Sequence, residues 1–240
     1  WSFMPKDTTE KKFTRYLVCN ADEGEPGTFK DRSIMEYNPH QLIEGMIIAG
    51  FAMQCQMGFI YVRGEFLWLI EKLEAAIEEA KKENLLGQNI LGSGFSFDLL
   101  VYRGAGSYIC GEETALLNSL EGRRGEPRIK PPFPASKGAF GQPTTINNVE
   151  TLAAAAPILR MGGSEYAKIG TPKNTGTRIF CVSGHVQRPG LYELPLGIPL
   201  MTLVQDLAGG TPNGKKIKAI IPGGASSAVF TESDFDCPLD

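Results

Sequence analysis

The sequence contains few of the side chains on which nucleophilic and metal-dependent catalysis usually depends. Only two histidines, His40 and His185, occur among 240 residues, and they lie far apart. The five cysteines are odd in number, widely scattered and never spaced as C-x-x-C, as expected of buried free thiols in a reducing compartment. We therefore expect no serine triad, no two-histidine metal site and no metal ligands among the cysteines.

Long hydrophobic runs and a strong net charge are also missing. The longest apolar run, 46–53, is far shorter than the ~20 residues needed to cross a bilayer, and the N-terminus lacks a secretory signal pattern. We therefore expect no membrane span. A net charge of −3 gives no reason to expect nucleic acid as a partner. With 42% hydrophobic and 21% charged residues, the composition is that of a globular protein.

Strand-like and helix-like segments alternate along the first two thirds of the chain. Short β-favouring runs at 14–19, 59–63 and 97–102 predict strands. Apolar residues with helical spacing predict helices at about 39–52, 65–83, 112–122 and 149–159, the first of them capped by Asn38 and Pro39. Such alternation predicts an α/β fold with a largely parallel sheet, in which ligands bind at the carboxyl ends of the strands.

The character of the sequence changes at 171–176, which is rich in Pro, Gly and Asn and is typical of a linker. We place a domain boundary there, giving a first domain at 1–170 and a second at 171–240. Beyond it, strands are predicted at 177–183, 191–194 and 218–221, with a short helix from about residue 199 to Gly209. A hairpin followed by a helix predicts a small β-grasp module.

The first segment that could carry chemistry is 20–32, which follows the first predicted strand. It places Asp22, Glu23 and Glu25 within four positions, so that the carboxylates repel one another unless a cation or a hydroxyl-rich ligand lies between them. Three interpretations stay open at this point: a site for a hard cation, a site for ribose or ribityl hydroxyls, and a solvated turn.

The second segment, 104–119, carries glycines between a predicted strand and a predicted helix. Glycines let the backbone approach a phosphate, although the spacing differs from the dinucleotide fingerprint G-x-G-x-x-G. Glu112 and Glu113 either complement the helix macrodipole or bind ribose hydroxyls while repelling a 2'-phosphate, which would favour NADH over NADPH.

The third segment consists of 128–134 and 145–151. Prolines stiffen its first part, so that Phe133 is held either to stack on an adenine, with Lys130 near ribose or phosphate, or as a packed side chain in a rigid connector. Asn147 and Asn148 are suited both to cap the helix that follows and to bind a ligand.

These three segments, in this order, resemble the flavin-carrying, NADH-binding subunit of complex I. The most specific part is 104–119, G-A-G-S-Y-I-C-G-E-E-T-A-L-L-N-S, in which Ser107 replaces the Ala or Arg common in the family. The segments N-A-D-E-G-E-P-G at 20–27 and N-N-V-E-T at 147–151 are nearly as diagnostic, and the resemblance covers the whole chain. It implies a Rossmann-like FMN- and NADH-binding domain followed by a ubiquitin-like β-grasp domain of the SLBB type.

The resemblance also implies a role for individual residues. It implies FMN contacts for Asn20, Asp22, Glu23, Tyr108, Gly111, Glu112, Asn147 and Asn148. It implies NADH contacts for Phe3, Glu25, Glu113, Lys130 and Phe133. No side chain is expected to act as a catalytic nucleophile, because the flavin carries out the hydride transfer.

The implied function is transfer of a hydride from NADH to FMN, followed by electron transfer through iron-sulfur clusters toward quinone. Two family parts are missing from this sequence: the glycine-rich loop around the flavin phosphate and the C-terminal helical bundle that binds a [4Fe-4S] cluster. The implied partners are other hydrophilic-arm subunits, especially the thioredoxin-like 2Fe-2S subunit, on the cytoplasmic or matrix side of the inner membrane. The alternatives are a diaphorase subunit of an NAD-linked hydrogenase or formate dehydrogenase, and a non-catalytic docking fragment.

Overall fold

The computed structural model describes residues 1–240, which divide into two compact units. Unit 1 consists of Trp1–Gly24 and Asp31–Pro157, and unit 2 consists of Glu25–Lys30 and Ile158–Asp240. The domain bounds at 1–170 and 171–240 stay a prediction.

Unit 1 is built on a four-stranded sheet. Its strands are β1 (Tyr16–Ala21), β2 (Met57–Val62), β3 (Asp98–Arg103) and β4 (Thr144–Asn148). They lie in the order β3-β2-β1-β4, and every neighbouring pair is parallel. Because the strands are parallel, all four carboxyl ends, and the loops that leave them, lie at one edge of the sheet.

Helices connect and cover these strands. They are α1 (Lys30–Tyr37), α2 (Pro39–Met53), α3 (Leu67–Lys82), α4 (Glu113–Leu120), α5 (Pro134–Lys137) and α6 (Val149–Met161). The predicted cap of α2 is present: the Asn38 side chain accepts a hydrogen bond from the Gln41 backbone N–H, and Pro39 occupies the first turn. The amphipathic stripe of α3 is also present, with Leu69, Leu73 and four further residues buried.

Alternate residues of β1 point to opposite faces of the sheet. Leu17 and Cys19 belong to the larger hydrophobic cluster, which α2 and α3 cover, whereas Val18 belongs to a smaller cluster that includes Leu116 and Leu117 of α4. The sheet is thus buried on both faces, as the α/β prediction requires, and that prediction of the fold class is confirmed.

Strand β4, helix α1 and the single-turn helix α5 of unit 1 were not predicted from the sequence. Strand β4 ends in Asn147 and Asn148, which have low β propensity, and it forms because β1 offers a complete parallel partner. Helix α1 has only eight residues and a weakly apolar composition, and its first turn is stabilised by the Glu23 side chain.

Unit 2 contains a hairpin of β5 (Thr177–Val182) and β6 (Gly190–Pro195), and a short pair of β7 (Ile198–Pro199) and β8 (Pro238–Leu239). The short helix α7 (Gly163–Tyr166) precedes the hairpin. The predicted helix after the hairpin is a π-helical turn, Thr202–Leu207. The predicted strand at 218–221 is wrong: a single bridge joins Ile220 to Phe230, because Pro222 ends the extended run.

None of the helices combines the length and the hydrophobicity needed to cross a membrane. All five cysteines are free, and no cluster of three or more His, Cys, Asp or Glu side chains is arranged to hold a metal ion.

Candidate functional site

A row of polar side chains crosses the carboxyl edge of the unit 1 sheet. In the pairing register Asn148 lies beside Asn20, Asn20 beside Tyr61, and Tyr61 beside Tyr102. The Tyr61 and Tyr102 rings stack with centroids 5.3 Å apart, and both hydroxyls bond to Ser119 of α4. The two tyrosines therefore lie on β2 and β3, at one end of this edge, and the amides of Asn20 and Asn148 lie on β1 and β4, at the other end.

Asn20 connects the first two sequence segments. Its side-chain N–H group donates to the Gly111 carbonyl at 2.9 Å, and its side-chain oxygen accepts from the Asp22 backbone N–H at 3.1 Å. A Cβ built on Gly111 would lie 3.5 Å from the Asp22 carbonyl oxygen. The loop after β1 and the turn 108–111 therefore pack against each other at the end of the sheet.

Asp22 is the least satisfied polar side chain of unit 1. It is only 9% exposed, and its Oδ2 atom is buried without a hydrogen-bond partner. Burial raises the pKa of Asp22 to about 6, with Arg63 opposing and Glu65 reinforcing the shift. A buried oxygen without a donor is costly for a folded protein, which indicates that a ligand supplies the missing donor.

The Glu23 side chain is directed toward α1. Its two carboxylate oxygens accept from the backbone N–H groups of Asp31 and Arg32, at 3.0 and 3.1 Å. Its backbone carbonyl accepts from the Arg63 guanidinium at 2.8 Å. The FMN contact of Glu23 therefore stays a prediction. Because the carboxylate binds α1, the backbone of Glu23 is better placed than its side chain to contact FMN.

Asn147 and Asn148 end β4 and lead directly into α6. Asn148 caps this helix, because its Oδ1 accepts from the Glu150 backbone N–H at 2.9 Å, and its side-chain N–H donates to Asp31 at 2.6 Å. The Asn147 Oδ1 accepts from the Trp1 indole at 2.7 Å. The capping interpretation of Asn148 is confirmed, and its ligand role stays a prediction.

The two glutamates at the start of α4 meet the cation of the third segment. Lys130 forms an ion pair with Glu113 and lies 3.4 Å from Glu112. The hydrogen bond that Lys130 donates to Glu113 is the largest factor that raises the pKa of Lys130. The Glu112 Oε2 accepts from Thr114 and Ala115, and although burial acts in the opposite sense, these bonds lower the pKa of Glu112. Glu112 therefore caps α4, and Glu113 remains the more available carboxylate.

Three predicted contact residues present rings to solvent in unit 1. Tyr108 is exposed, and its ring lies 3.3 Å from a Cβ built on Gly24, so it packs closely against the loop after β1. Phe133 is 60% exposed and Phe3 is 87% exposed. Exposed rings on stiff or terminal segments are available for stacking on a planar ligand.

Glu25 belongs to unit 2 and is considered separately. Its carboxylate accepts from the Ser226 backbone N–H at 3.4 Å. It lines a cavity of about 1010 Å³ within unit 2, together with Lys30, Lys215 and Lys218. The predicted NADH contact of Glu25 stays a prediction.

Sequence reasoning missed three residues of the unit 1 site: Trp1, Asp31 and Arg63. Trp1 and Asp31 act through the amides of Asn147 and Asn148, from positions more than 100 residues away in the chain. Arg63 ends a predicted strand without any recognisable motif. The only signal in the sequence is a charged residue placed directly after a buried strand, where ligand-binding loops begin.

The arrangement supplies amides, carboxylates and exposed rings, and it contains no pair of side chains suited to nucleophilic catalysis. It can bind hydroxyl and N–H groups of a ligand through Asn20, Asp22 and Asn147, and a planar group through Phe133. A site of this composition binds and orients a reactive cofactor rather than providing reactive side chains of its own.

Two known families match this chain. Residues 1–157 match the family described as the Nuo51 FMN-binding domain, and residues 179–230 match the SLBB domain. The first match spans all of unit 1, with the sheet edge, and all three sequence segments in full.

Curated proteins match over nearly the full chain. It is 52% identical, over 100% of its length, to the F 2 subunit of the NADH-quinone oxidoreductase of Rhizobium meliloti, of which it covers 56%. It is 54% identical, over 98% of its length, to the mitochondrial NADH dehydrogenase [ubiquinone] flavoprotein 1 of Dictyostelium discoideum, of which it covers 49%. The chain thus spans about half the length of the curated relatives it matches.

A solved structure also resembles this chain. The crystal structure of an NAD+-reducing [NiFe]-hydrogenase in its air-oxidised state superposes with a TM-score of 0.84 at 41% identity. The match covers 94% of this chain and 38% of that one.

Proposed function

Because this chain belongs to the family of the Nuo51 FMN-binding domain, we propose that it binds FMN and NADH as part of an NADH dehydrogenase module. The observation that carries the proposal is the buried Oδ2 of Asp22, which has no donor and lies where the loops after parallel strands meet. The ribityl hydroxyls and the ring N–H of FMN are donors of the kind it requires. The named relatives, an NADH-quinone oxidoreductase subunit and an NADH dehydrogenase flavoprotein, support the same function.

The unit 1 residues fit FMN at this edge. Asn20, Asp22 and Asn147 supply amide and carboxylate groups for the ribityl chain and the ring, and Gly111 packs beside Asn20 and Asp22. FMN held by these residues would supply the acceptor for a hydride from NADH and the means to pass electrons on singly. The side chains position the two ligands and exclude water, and none of them needs to form a covalent bond.

NADH is proposed to lie along the second and third segments. Phe133 offers its ring to the adenine, and Lys130 stands between Glu112 and Glu113. When NADH binds, its ribose hydroxyls replace Lys130 as the hydrogen-bond partner of Glu113. A 2'-phosphate would meet the same carboxylate and be repelled, which favours NADH over NADPH.

The assembly is a proposal as well. We propose that other subunits of a complex I type enzyme bind this protein, including a thioredoxin-like 2Fe-2S subunit, and that a [4Fe-4S] cluster receives the electrons. The proposed place is the cytoplasmic or matrix side of the inner membrane, peripheral to it, with quinone as the final acceptor. Copurification followed by identification of the associated subunits tests this assembly.

A second candidate is a diaphorase subunit of an NAD-linked hydrogenase. The structural match to an NAD+-reducing [NiFe]-hydrogenase favours it. The flavin and NADH sites would be the same, and the partner subunits differ. If hydrogenase subunits copurify with this protein, the diaphorase assignment replaces the complex I assignment.

Anaerobic addition of NADH to the full-length protein tests the proposed chemistry. We expect a flavin absorbance spectrum that is bleached by NADH and much more slowly by NADPH. A flavin spectrum that NADH leaves unchanged would contradict the dehydrogenase function and would favour a docking role.

Replacing Phe133 by alanine is expected to weaken NADH binding by about 1 to 3 kcal/mol, because the adenine loses its stacking surface. The control is Ile129→Ala, which shortens a 90% exposed side chain on the same loop and should leave the affinity unchanged. The dissociation constant is measured by titration of the FMN-loaded protein with NADH under reducing conditions. Equal NADH affinities of Phe133→Ala and wild type would show that Phe133 does not stack on the adenine and has only a packing role.

Replacing Glu113 by glutamine is expected to raise the NADPH to NADH selectivity ratio by about tenfold, which equals ~1.4 kcal/mol. The substitution removes one of the two carboxylates that neutralise Lys130, so the remaining charge favours a phosphate. The ratio of kcat/KM for the two nucleotides is the measurement, with Glu112→Gln in parallel. A change in Glu112→Gln alone would move the role to Glu112, and no change in either would contradict the selectivity argument.

A further inference from the structure

The segment Arg63–Glu65 follows β2 and lies outside all three sequence segments, yet it contacts the first of them. The Arg63 Nη1 donates to the Glu23 carbonyl at 2.8 Å, and Nη2 donates to Glu65 Oε1 at 3.1 Å. The guanidinium also lies 5.4 Å from the centre of the Phe66 ring. One planar cation is therefore held by three groups, which fixes the position of the Glu23 carbonyl.

The same segment supports the loop after β3. A Cβ built on Gly64 would lie 2.2 Å from the Gly104 carbonyl oxygen, so the two backbones are in direct contact. The Arg103 Nε donates to the Gly64 carbonyl at 3.1 Å, and Glu65 lies 3.2 Å from a Cβ built on Gly106. Arg63–Glu65 therefore braces the loops of both the first and the second segment.

Arg63 and Glu65 are also the charges that act on Asp22. Arg63 lowers the pKa of Asp22 and Glu65 raises it, after the larger effect of burial. The other titratable groups around Asp22 are occupied elsewhere: Glu23 accepts from two N–H groups of α1, and the Tyr61 hydroxyl bonds to Ser119. Cys110 and Glu112 flank Gly111 in the neighbouring turn, where Glu112 caps α4.

We propose that Arg63 is a positioning residue of the FMN site, which holds the Glu23 carbonyl and, together with Glu65, balances the charge on Asp22. This inference rests on the proposed function, since the ligand is FMN. Asp22 accepts hydrogen bonds from FMN as a carboxylate, so FMN affinity falls when Asp22 becomes protonated at low pH. Arg63 keeps Asp22 ionised and keeps the turn at residues 22–24 in the shape that presents it.

Two substitutions shift the pH dependence in opposite directions. Arg63→Gln removes the cation, so Asp22 protonates at higher pH and the loss of FMN affinity begins at higher pH, by roughly half a unit to one unit. Glu65→Gln removes the carboxylate and moves the same loss to lower pH. A purely structural role predicts no such opposite shifts.

The experiment uses the full-length protein, stripped of FMN and titrated with FMN at about pH 5 to pH 8, with quenching of flavin fluorescence as the readout. The variants are Arg63→Gln, Arg63→Lys and Glu65→Gln. Arg124→Gln is the matched control, because it removes an exposed guanidinium from an Arg–Glu pair away from Asp22. The FMN phosphate titrates alike in all variants, so differences between variants report on the protein. Thermal unfolding of the flavin-free variants shows whether each has folded.

We expect Arg63→Gln to weaken FMN binding at pH 7 by about tenfold and Arg124→Gln to leave it unchanged. Arg63→Lys retains the cation but lacks the second donor, so it should keep the wild-type pH dependence with a reduced affinity. If Arg63→Gln and Glu65→Gln leave the pH dependence of FMN binding where it is in the wild type, the inference is wrong although the proposed function stands. If the wild-type protein binds no FMN at all, the proposed function itself fails.

Discussion

Replacing Asp22 by asparagine is expected to stabilise the flavin-free protein by about 3 kcal/mol at pH 7 and to weaken FMN binding at the same time. Asp22 is buried, and its pKa is raised from 3.8 to about 6. A shift of one pKa unit corresponds to about 1.36 kcal/mol, so keeping this carboxylate ionised in the folded protein costs about 3 kcal/mol. Asparagine has nearly the same shape and carries no charge.

The pH dependence of this effect follows from the direction of the shift. Between the unfolded pKa of 3.8 and the folded pKa of about 6, folded Asp22 binds more proton than unfolded Asp22. The contribution of Asp22 to the free energy of unfolding therefore falls as the pH rises through this window. The full loss of stability is reached above the window. The advantage of Asp22→Asn should be largest at neutral pH and should vanish below the unfolded pKa.

Urea unfolding of the flavin-free wild type and of Asp22→Asn, at neutral and at acidic pH, measures this difference. The control is Asp98→Asn, which removes a partly exposed carboxylate paired with Lys81. This substitution should lower the free energy of unfolding by less than about 1 kcal/mol. Equal stability of wild type and Asp22→Asn at neutral pH would show that the Asp22 carboxylate is solvated or paired in the folded protein.

The second consequence of Asp22→Asn concerns the ligand. An amide accepts a hydrogen bond more weakly than a carboxylate, and its N–H group meets the donors of FMN. A loss of about 1.5 to 3 kcal/mol in FMN binding is expected. Greater stability with weaker binding in one variant is the behaviour of a residue kept for its function rather than for the fold. If Asp22→Asn binds FMN with wild-type affinity, Asp22 does not belong to the FMN site.

Replacing Gly45 by alanine is expected to destabilise unit 1 by about 3 kcal/mol. Gly45 lies in α2, and a Cβ built there would come within 1.9 Å of the Leu152 carbonyl oxygen of α6. The obstacle is backbone, so it cannot rotate away as a flexible side chain would. Separation of α2 from α6 would also disturb the bond from the Gln41 side chain to the Ala153 carbonyl and the start of α6 at Asn148.

The urea midpoint of Gly45→Ala compared with the wild type gives this loss. Gly163→Ala serves as the control, because its built Cβ meets nothing within 4 Å and its φ is compatible with alanine. We expect Gly163→Ala to be neutral or slightly stabilising. A midpoint for Gly45→Ala close to that of Gly163→Ala would mean that α2 and α6 are not in the close contact described.

Elements whose apolar spacing is long and regular were predictable from the sequence. The stripe of α3 and the Asn38 cap with Pro39 of α2 are local patterns, and alternation with short strands indicated a parallel sheet. The loops after β1 and β3 could be placed at one edge because parallel strands share their carboxyl end. The fold class followed from these local signals alone.

Features that depend on distant partners were not predictable. Strand β4 is extended because it pairs with β1, although its final Asn147 and Asn148 favour turns. The Glu23 carboxylate accepts from two backbone N–H groups in the first turn of α1, a contact that the sequence did not show. Arg63 reaches the Glu23 carbonyl across 40 positions of sequence, and no local pattern predicts such a contact.

Acid extraction of the full-length protein followed by fluorimetric assay of the released flavin examines the proposed site most directly. With Asp22, Asn20 and Asn147 forming one site, about one FMN per chain should be released from the wild type. The flavin content of Asp22→Asn should be clearly lower after the same purification. A wild-type protein that holds no flavin, even after incubation with excess FMN, would contradict the account.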